Sequence, residues 1–174
     1  SAPEAAPAFP IGPGGVIGGD SDVVGAARAV GVPDRYLSAL IQQESGGDPN
    51  AQASTSSATG HAQFIDSTWR RMMNDYGQRY GYGEGHLAGL SETDVLELRT
   101  DPGWAAIMAA EYARENATAL RGAIGRVPTD GEVYLAHFLG PGDAAELINA
   151  ERADSRRHGR GRRADGFNHS ESKN

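Results

Sequence analysis

Apolar residues in this 174-residue chain recur at intervals of three and four, and nowhere in a sustained alternation of two. Leu37, Leu40 and Ile41 form one such stripe, Trp69, Met72 and Met73 a second, and Trp104, Ile107 and Met108 a third. This spacing gathers apolar side chains on one face of a helix. It predicts helices near 22–30, 33–45, 66–76, 91–99, 102–121, 130–139 and 143–150, separated by glycine-rich breaks. A chain so patterned folds as a mainly α domain.

Start signals support these helices. Asp66 precedes Ser-Thr-Trp and Asp101 precedes Pro102, each offering an acceptor to the N–H groups that a helix start leaves unpaired. Ser91-Glu-Thr-Asp94 and Thr129-Asp-Gly-Glu132 have the form of capping boxes. Between the helices, GQRYGYGEGHLAG over residues 77–89 reads as a polar Gly- and Tyr-rich loop outside the core.

The ends differ from the middle. Residues 1–21 are rich in Ala, Pro and Gly and read as a linker or flexible arm. Residues 22–150 carry the helical pattern and form a single domain. Residues 151–174 hold seven Lys/Arg against four Asp/Glu and little to bury, so they read as a flexible, solvated Arg-rich tail or as an arm that docks on an acidic partner. The net charge of −7 therefore conceals a body at −10, which argues against binding nucleic acid. The chain begins at Ser1, as a processed form or a domain cut from something larger would.

Other chemistry is excluded more directly. With no cysteine, neither disulfides nor thiolate metal sites can form, and the five histidines lack metal-ligand spacing, so no metal and no cofactor are expected. No apolar run is long enough to be a transmembrane segment.

Two helical stripes end on carboxylates. After Leu37, Leu40 and Ile41 the next position on the apolar face is Glu44, and Ser45-Gly46-Gly47 then stops the helix. Partial burial and the negative end of the helix dipole both disfavour the ionised form, which holds a proton on Glu44 as a general acid requires. The bland alternative is a fraying helix whose glutamate reaches water. The stripe of Trp104, Ile107 and Met108 arrives at Glu111, with Glu115 a turn later; a supporting role in fixing loops is the reading for both.

Four segments in order resemble a known family: Glu44-Ser45, STSSATGHAQF from Ser54 to Phe64, STW from Ser67, and YLAHFLGPG from Tyr134. Together they are similar to the soluble lytic transglycosylase (SLT) domain of glycoside hydrolase family 23, related to goose-type lysozymes, over about residues 30–145. The wording is closest to transglycosylase domains of giant-phage endolysins. The resemblance implies a lysozyme-like fold and assigns Glu44 as the single catalytic acid/base, followed by Ser45. Gly60 and Gln63 match the ends of the family's Gly-Leu-Met-Gln motif, whose glutamine lies in the sugar groove; His61 and Ala62 replace its middle. Ser54 or Thr55 falls where many members have a hydroxyl near the carboxylate. In the third motif, His137 and Phe138 stand where most members have Tyr-Asn, so Tyr134 is the candidate to supply the phenol.

The implied function is cleavage of the β-1,4 bond between N-acetylmuramic acid and N-acetylglucosamine in peptidoglycan glycan strands. One acid suffices because the substrate's own N-acetyl group assists and its C6 hydroxyl closes a 1,6-anhydro ring. Tyr80 and Tyr82 are candidates to pack on sugar rings, with ordinary packing as the alternative; Tyr76 completes the stripe of Trp69, Met72 and Met73 and reads as core. Two rivals stand: a hydrolytic lysozyme on the same fold, using Asp48 or Glu111 as second carboxylate, and a structural or glycan-binding component of a phage tail, virion or flagellar assembly held by the terminal arms. An extracytoplasmic (periplasmic) or virion-associated location is the expectation, though nothing in this sequence determines it.

Overall fold

The computed structural model describes residues Asp20–Phe167. The expected arm over 1–21, except its last two positions, and the end of the tail lie outside the described residues. The described chain is mainly helical: α1 (Asp20–Val30), α2 (Asp34–Ser45), α3 (Asp66–Tyr76), α4 (Glu92–Glu97), α5 (Pro102–Ile124), α6 (Asp130–Leu139) and α7 (Pro141–Phe167). Among the described residues extended pairing is limited to isolated bridges, Gln52 with Thr59 and Thr59 with Phe64. This is the mainly α class that the spacing implies, and it is consistent with the lysozyme-like fold that the resemblance implies. No helix among the described residues is long and apolar enough to cross a membrane.

Contacts divide the chain into two compact units, with the boundary between Glu115 and Asn116 inside α5. In the first unit α1 packs on α2, and α3 packs on α4. All three stripes read from the sequence are buried: Leu37, Leu40 and Ile41 on α2, Trp69, Met72 and Met73 on α3, and Trp104, Ile107 and Met108 on α5. Each such side chain contributes roughly 1.5–3 kcal/mol by leaving water. Trp69 also satisfies its indole N–H, which donates to the Val95 carbonyl at 2.6 Å and ties α3 to α4. In the second unit α6 packs on α7 around Leu120, Ile124, Ala136, Ala144, Ala145 and Ile148.

Helix ends largely follow local chemistry. Both capping boxes form, Ser91 with Asp94 and Thr129 with Glu132. Asp101 accepts the Trp104 N–H at 2.9 Å at the start of α5. Asp66 departs from expectation. It is the first residue of α3 rather than its cap, the cap position is Ile65 with no side-chain acceptor, and the Asp66 carboxylate instead meets Arg99 at 2.7 Å.

Two further expectations are corrected. The 77–89 segment is not wholly outside the core: it makes short 3-10 turns at Gly77–Tyr80 and Gly85–Leu87, and buries Gly77, Tyr80 and Leu87. The tail does not begin as an irregular arm at 151, because α7 runs on to Phe167. Pro141 suits the first helical position, and the Ala, Glu and Arg that follow are good helix formers. The extension is polar over 151–158 and mostly exposed, but Arg152 is half-buried and donates to the Ile124 carbonyl at 3.3 Å. A cation thus meets a carbonyl that the end of α5 leaves without a helical partner.

Candidate active site

α2 delivers Glu44 to its last turn, on the same face as the buried Leu37, Leu40 and Ile41. Gly46 ends the helix in the left-handed conformation, its N–H returning to the Gln42 carbonyl, and Gly47 follows with φ also positive. Glu44 is half-buried, and that burial pushes its carboxyl above the usual carboxylate range. The proton is therefore held to higher pH than on an exposed glutamate. Ser45 is committed locally: its hydroxyl donates to the Ile41 carbonyl at 3.1 Å and accepts the Gly47 N–H at 3.2 Å.

The second motif forms a compact loop beside this turn. His61 joins the two, its Nε2 lying 2.8 Å from the Gly47 carbonyl oxygen. Gly60 has φ +83°, and a Cβ there would lie 1.9 Å from the Arg99 carbonyl oxygen, so only glycine fits. Gln63 is the one non-glycine described residue with positive φ, at 49°. Its amide nitrogen donates to the carbonyls of Ala51 at 3.0 Å and Gly60 at 2.9 Å. Ser54 and Thr55 lie exposed at a bend of the same segment.

The other candidates are distributed elsewhere. Tyr80, a candidate sugar platform, is only 6% exposed, and its hydroxyl donates to Glu111 at 2.5 Å; the structure makes it a packing residue. Tyr82 is half-buried against Gly77, where an added Cβ would lie 2.9 Å from the Tyr82 Cβ and 3.1 Å from its ring. It lines a surface hollow of about 320 Å³ with Arg70, Met73, Asn74, Glu92 and Val95. Glu111 is 2% exposed and gathers Tyr80, Arg114 and, at 3.6 Å, Arg79. Glu115 accepts from Arg71 at 3.0 Å and from the Tyr76 hydroxyl at 2.8 Å. Tyr76 is thus half-buried rather than fully core. Through these contacts Glu111 joins α5 to the 3-10 turn and Glu115 joins α5 to α3.

In the second unit, α6 presents an aromatic group. Tyr134 and Phe138 meet edge to face at 4.9 Å between centroids, and His137 meets Phe138 at 5.2 Å. Phe138 is 58% exposed, and burial pulls the His137 imidazole below its ordinary pKa.

The family model of the transglycosylase SLT domain matches residues 23–158. The chain belongs to this family. It is in class a lytic transglycosylase acting on peptidoglycan, and the SLT domain begins in α1 and runs past the boundary expected at 150, well into α7. Among the described residues no three of His, Asp and Glu converge as metal ligands.

Three residues in or near the second motif have parts that the sequence did not assign to them. Arg99 is buried against the loop and binds both of its ends. No periodic signal precedes it. Asp22 is 5% exposed with neither carboxylate oxygen hydrogen-bonded, and burial first, then Asp101, raise its pKa against the opposing effect of His61. Its position on the stripe of Val23, Ala26 and Ala27 was a readable signal. His61 was read only as a replacement within the motif, not as a bridge to the turn after Glu44.

Proposed function

We propose that this SLT domain cleaves the β-1,4 bond between N-acetylmuramic acid and N-acetylglucosamine, with Glu44 as its sole acid and base and 1,6-anhydromuramic acid as product. The observation that carries this reading is the half-buried Glu44 carboxyl, raised by burial, at the glycine-terminated end of α2. Its proton passes to the glycosidic oxygen as the C1–O bond breaks. The substrate's N-acetyl oxygen stabilises the electron-poor C1. The Glu44 carboxylate then takes the proton of the C6 hydroxyl, O6 bonds to C1, and the enzyme is returned protonated without consuming water.

The alternatives for a second carboxylate are poorly suited to hold a nucleophilic water. Glu111 is enclosed by Tyr80, Arg79 and Arg114, and Asp48 accepts the Asn50 N–H at 2.8 Å within a turn. Gln63, Gly60, Ser54 and Thr55 are assigned to the glycan side of the loop, and Tyr82 to a sugar ring. The exposed face of Phe138, with Tyr134 and His137 beside it, suits stacking on a pyranose.

Mass spectrometry of muropeptides released from purified sacculi in ¹⁸O-labelled water tests this. Products ending in 1,6-anhydromuramic acid without label are expected. Labelled reducing ends would make the enzyme a hydrolase, and intact sacculi would favour a glycan-binding role.

A further inference from the structure

Arg99 touches the second motif from two directions. Its side chain donates through Nη1 to the Ser57 carbonyl at 2.8 Å and to the Phe64 carbonyl at 3.0 Å, the two flanks of the Gly60–Gln63 turn. Nη1 also meets Asp66 at 2.7 Å, and Nε donates to the Leu96 carbonyl at 2.9 Å. From the backbone, the Arg99 carbonyl oxygen abuts Gly60 so closely that no Cβ could be accommodated. The guanidinium is nearly excluded from water, with 9% of the side chain accessible. A buried cation placed on backbone carbonyls is costly unless its geometry is satisfied, so the loop and the arginine fix one another.

What this fixes is the residue with strained backbone. A left-handed conformation costs an ordinary residue roughly 1–2 kcal/mol and persists only where the surroundings over-determine it. Gln63 adopts it at φ 49°. Its side-chain bonds to Ala51 and Gly60 and the Arg99 bonds on either side are the over-determination. Released from Arg99, the turn can relax to negative φ, which swings the Gln63 side chain off its two carbonyls.

We propose that Arg99 is the positioning residue of the second motif, holding Gln63 in the left-handed conformation in which it meets the glycan. The proposal rests on the assignment of Gln63 to the sugar groove. Arg99 itself touches no substrate, and acts through the turn. Lysine cannot replace it: it keeps the charge but lacks the Nε–H that donates to the Leu96 carbonyl and the rigid plane that sets Nη1 between the two flanks.

The test is Arg99→Lys in the full chain, read in two ways. The first needs no activity: the Gln63 side-chain amide, bonded to two carbonyls, should give separated and exchange-protected proton signals in the wild type, which collapse toward free-amide positions in Arg99→Lys. The second is kinetic. On soluble glycan fragments KM should rise about tenfold while kcat changes by less than about threefold, because a positioned binding group has been lost and the acid has not. The KM cost of Gln63→Ala should nearly vanish in the Arg99→Lys background, since the two act as one unit. Unchanged Gln63 signals, additive KM effects, or a fall in kcat alone would each overturn the proposal. Should Arg99→Lys not fold, Asp66→Ala removes one partner of the guanidinium at a half-exposed site, and Gln63 signals unmoved by it overturn the proposal equally. A wild type inactive on glycan would fail the functional assignment instead, while the amide signals still decide what Arg99 holds.

Discussion

His61 Nε2 lies 2.8 Å from the carbonyl oxygen of Gly47. A carbonyl can only accept, so Nε2 carries the proton and the imidazole is a donor at that end. Its other nitrogen, Nδ1, is buried without a hydrogen-bond partner. One side chain thereby links the turn that follows Glu44 to the loop that carries Gln63.

Replacing His61 should therefore separate a donor effect from a packing effect. Gln can present an amide N–H near the position of Nε2 and should retain most activity. Ala leaves a buried space and an unlinked turn, and should cost about 1–3 kcal/mol of stability, as loss of a buried hydrogen-bonding group does. Thermal midpoints and kcat/KM for the two variants check this. Equal losses in both would show that the Gly47 bond is immaterial.

Glu44→Gln should fold normally and lose activity by about 10²–10⁴-fold, the usual worth of one positioned acid–base group. The sign of its pH dependence follows from burial, which raises the carboxyl pKa. The acid form is needed first, so kcat/KM should fall as pH rises through that raised value. Clearing of sacculi across a pH series, with circular dichroism to verify the fold, provides the measurement; a descending limb that persists in residual Glu44→Gln activity would assign it to another group.

Asp22→Asn should raise the thermal midpoint at neutral pH and have little effect near pH 3. The folded-state pKa of Asp22 is raised from 3.8, so the stability tied to its neutral form is complete below that ordinary value and is lost as pH rises through the raised one. Asparagine cannot ionise and escapes the loss. For a domain of this size each kcal/mol recovered is about 2–4 °C. Calorimetric midpoints of variant and wild type should differ at neutral pH and converge near pH 3.

The second unit should respond to acid in the opposite sense. Arg126 first, and then the Thr129 N–H, hold the Glu132 carboxyl down to about 2. Its contribution is complete above the ordinary 4.5 and is lost as pH falls toward 2. Glu132→Gln should remove this acid dependence, and Thr129→Ala should cost about 0.5–2 kcal/mol by deleting the cap. Far-UV circular dichroism during acid titration follows both.

What could be read in advance was local. The stripe ending at Glu44, its glycine stop and both capping boxes depend on residues within a turn of each other, and spacing reports such relations directly. Asp66 carried a cap signal of the same kind, yet a guanidinium 33 residues away claims its carboxylate. Tyr80 looked like a loop aromatic until Glu111, 31 residues on, gave its hydroxyl a buried partner. The polar continuation of α7 was hidden for another reason: with few apolar residues it shows no stripe, and only intrinsic propensity and a distant carbonyl mark it as helix. Arg99 combines both difficulties, since its acceptors are mostly backbone carbonyls, which every residue type carries.

Trp69 and Trp104 are the chain's only tryptophans, both are buried, and both belong to the first unit. The intrinsic fluorescence of this protein is consequently a private signal of the unit that bears Glu44. The second unit, with α6 and α7, contributes ellipticity but no tryptophan. Comparing emission with ellipticity along one denaturant series would thus reveal whether the enzyme melts as one cooperative body or in two steps, without labelling either part.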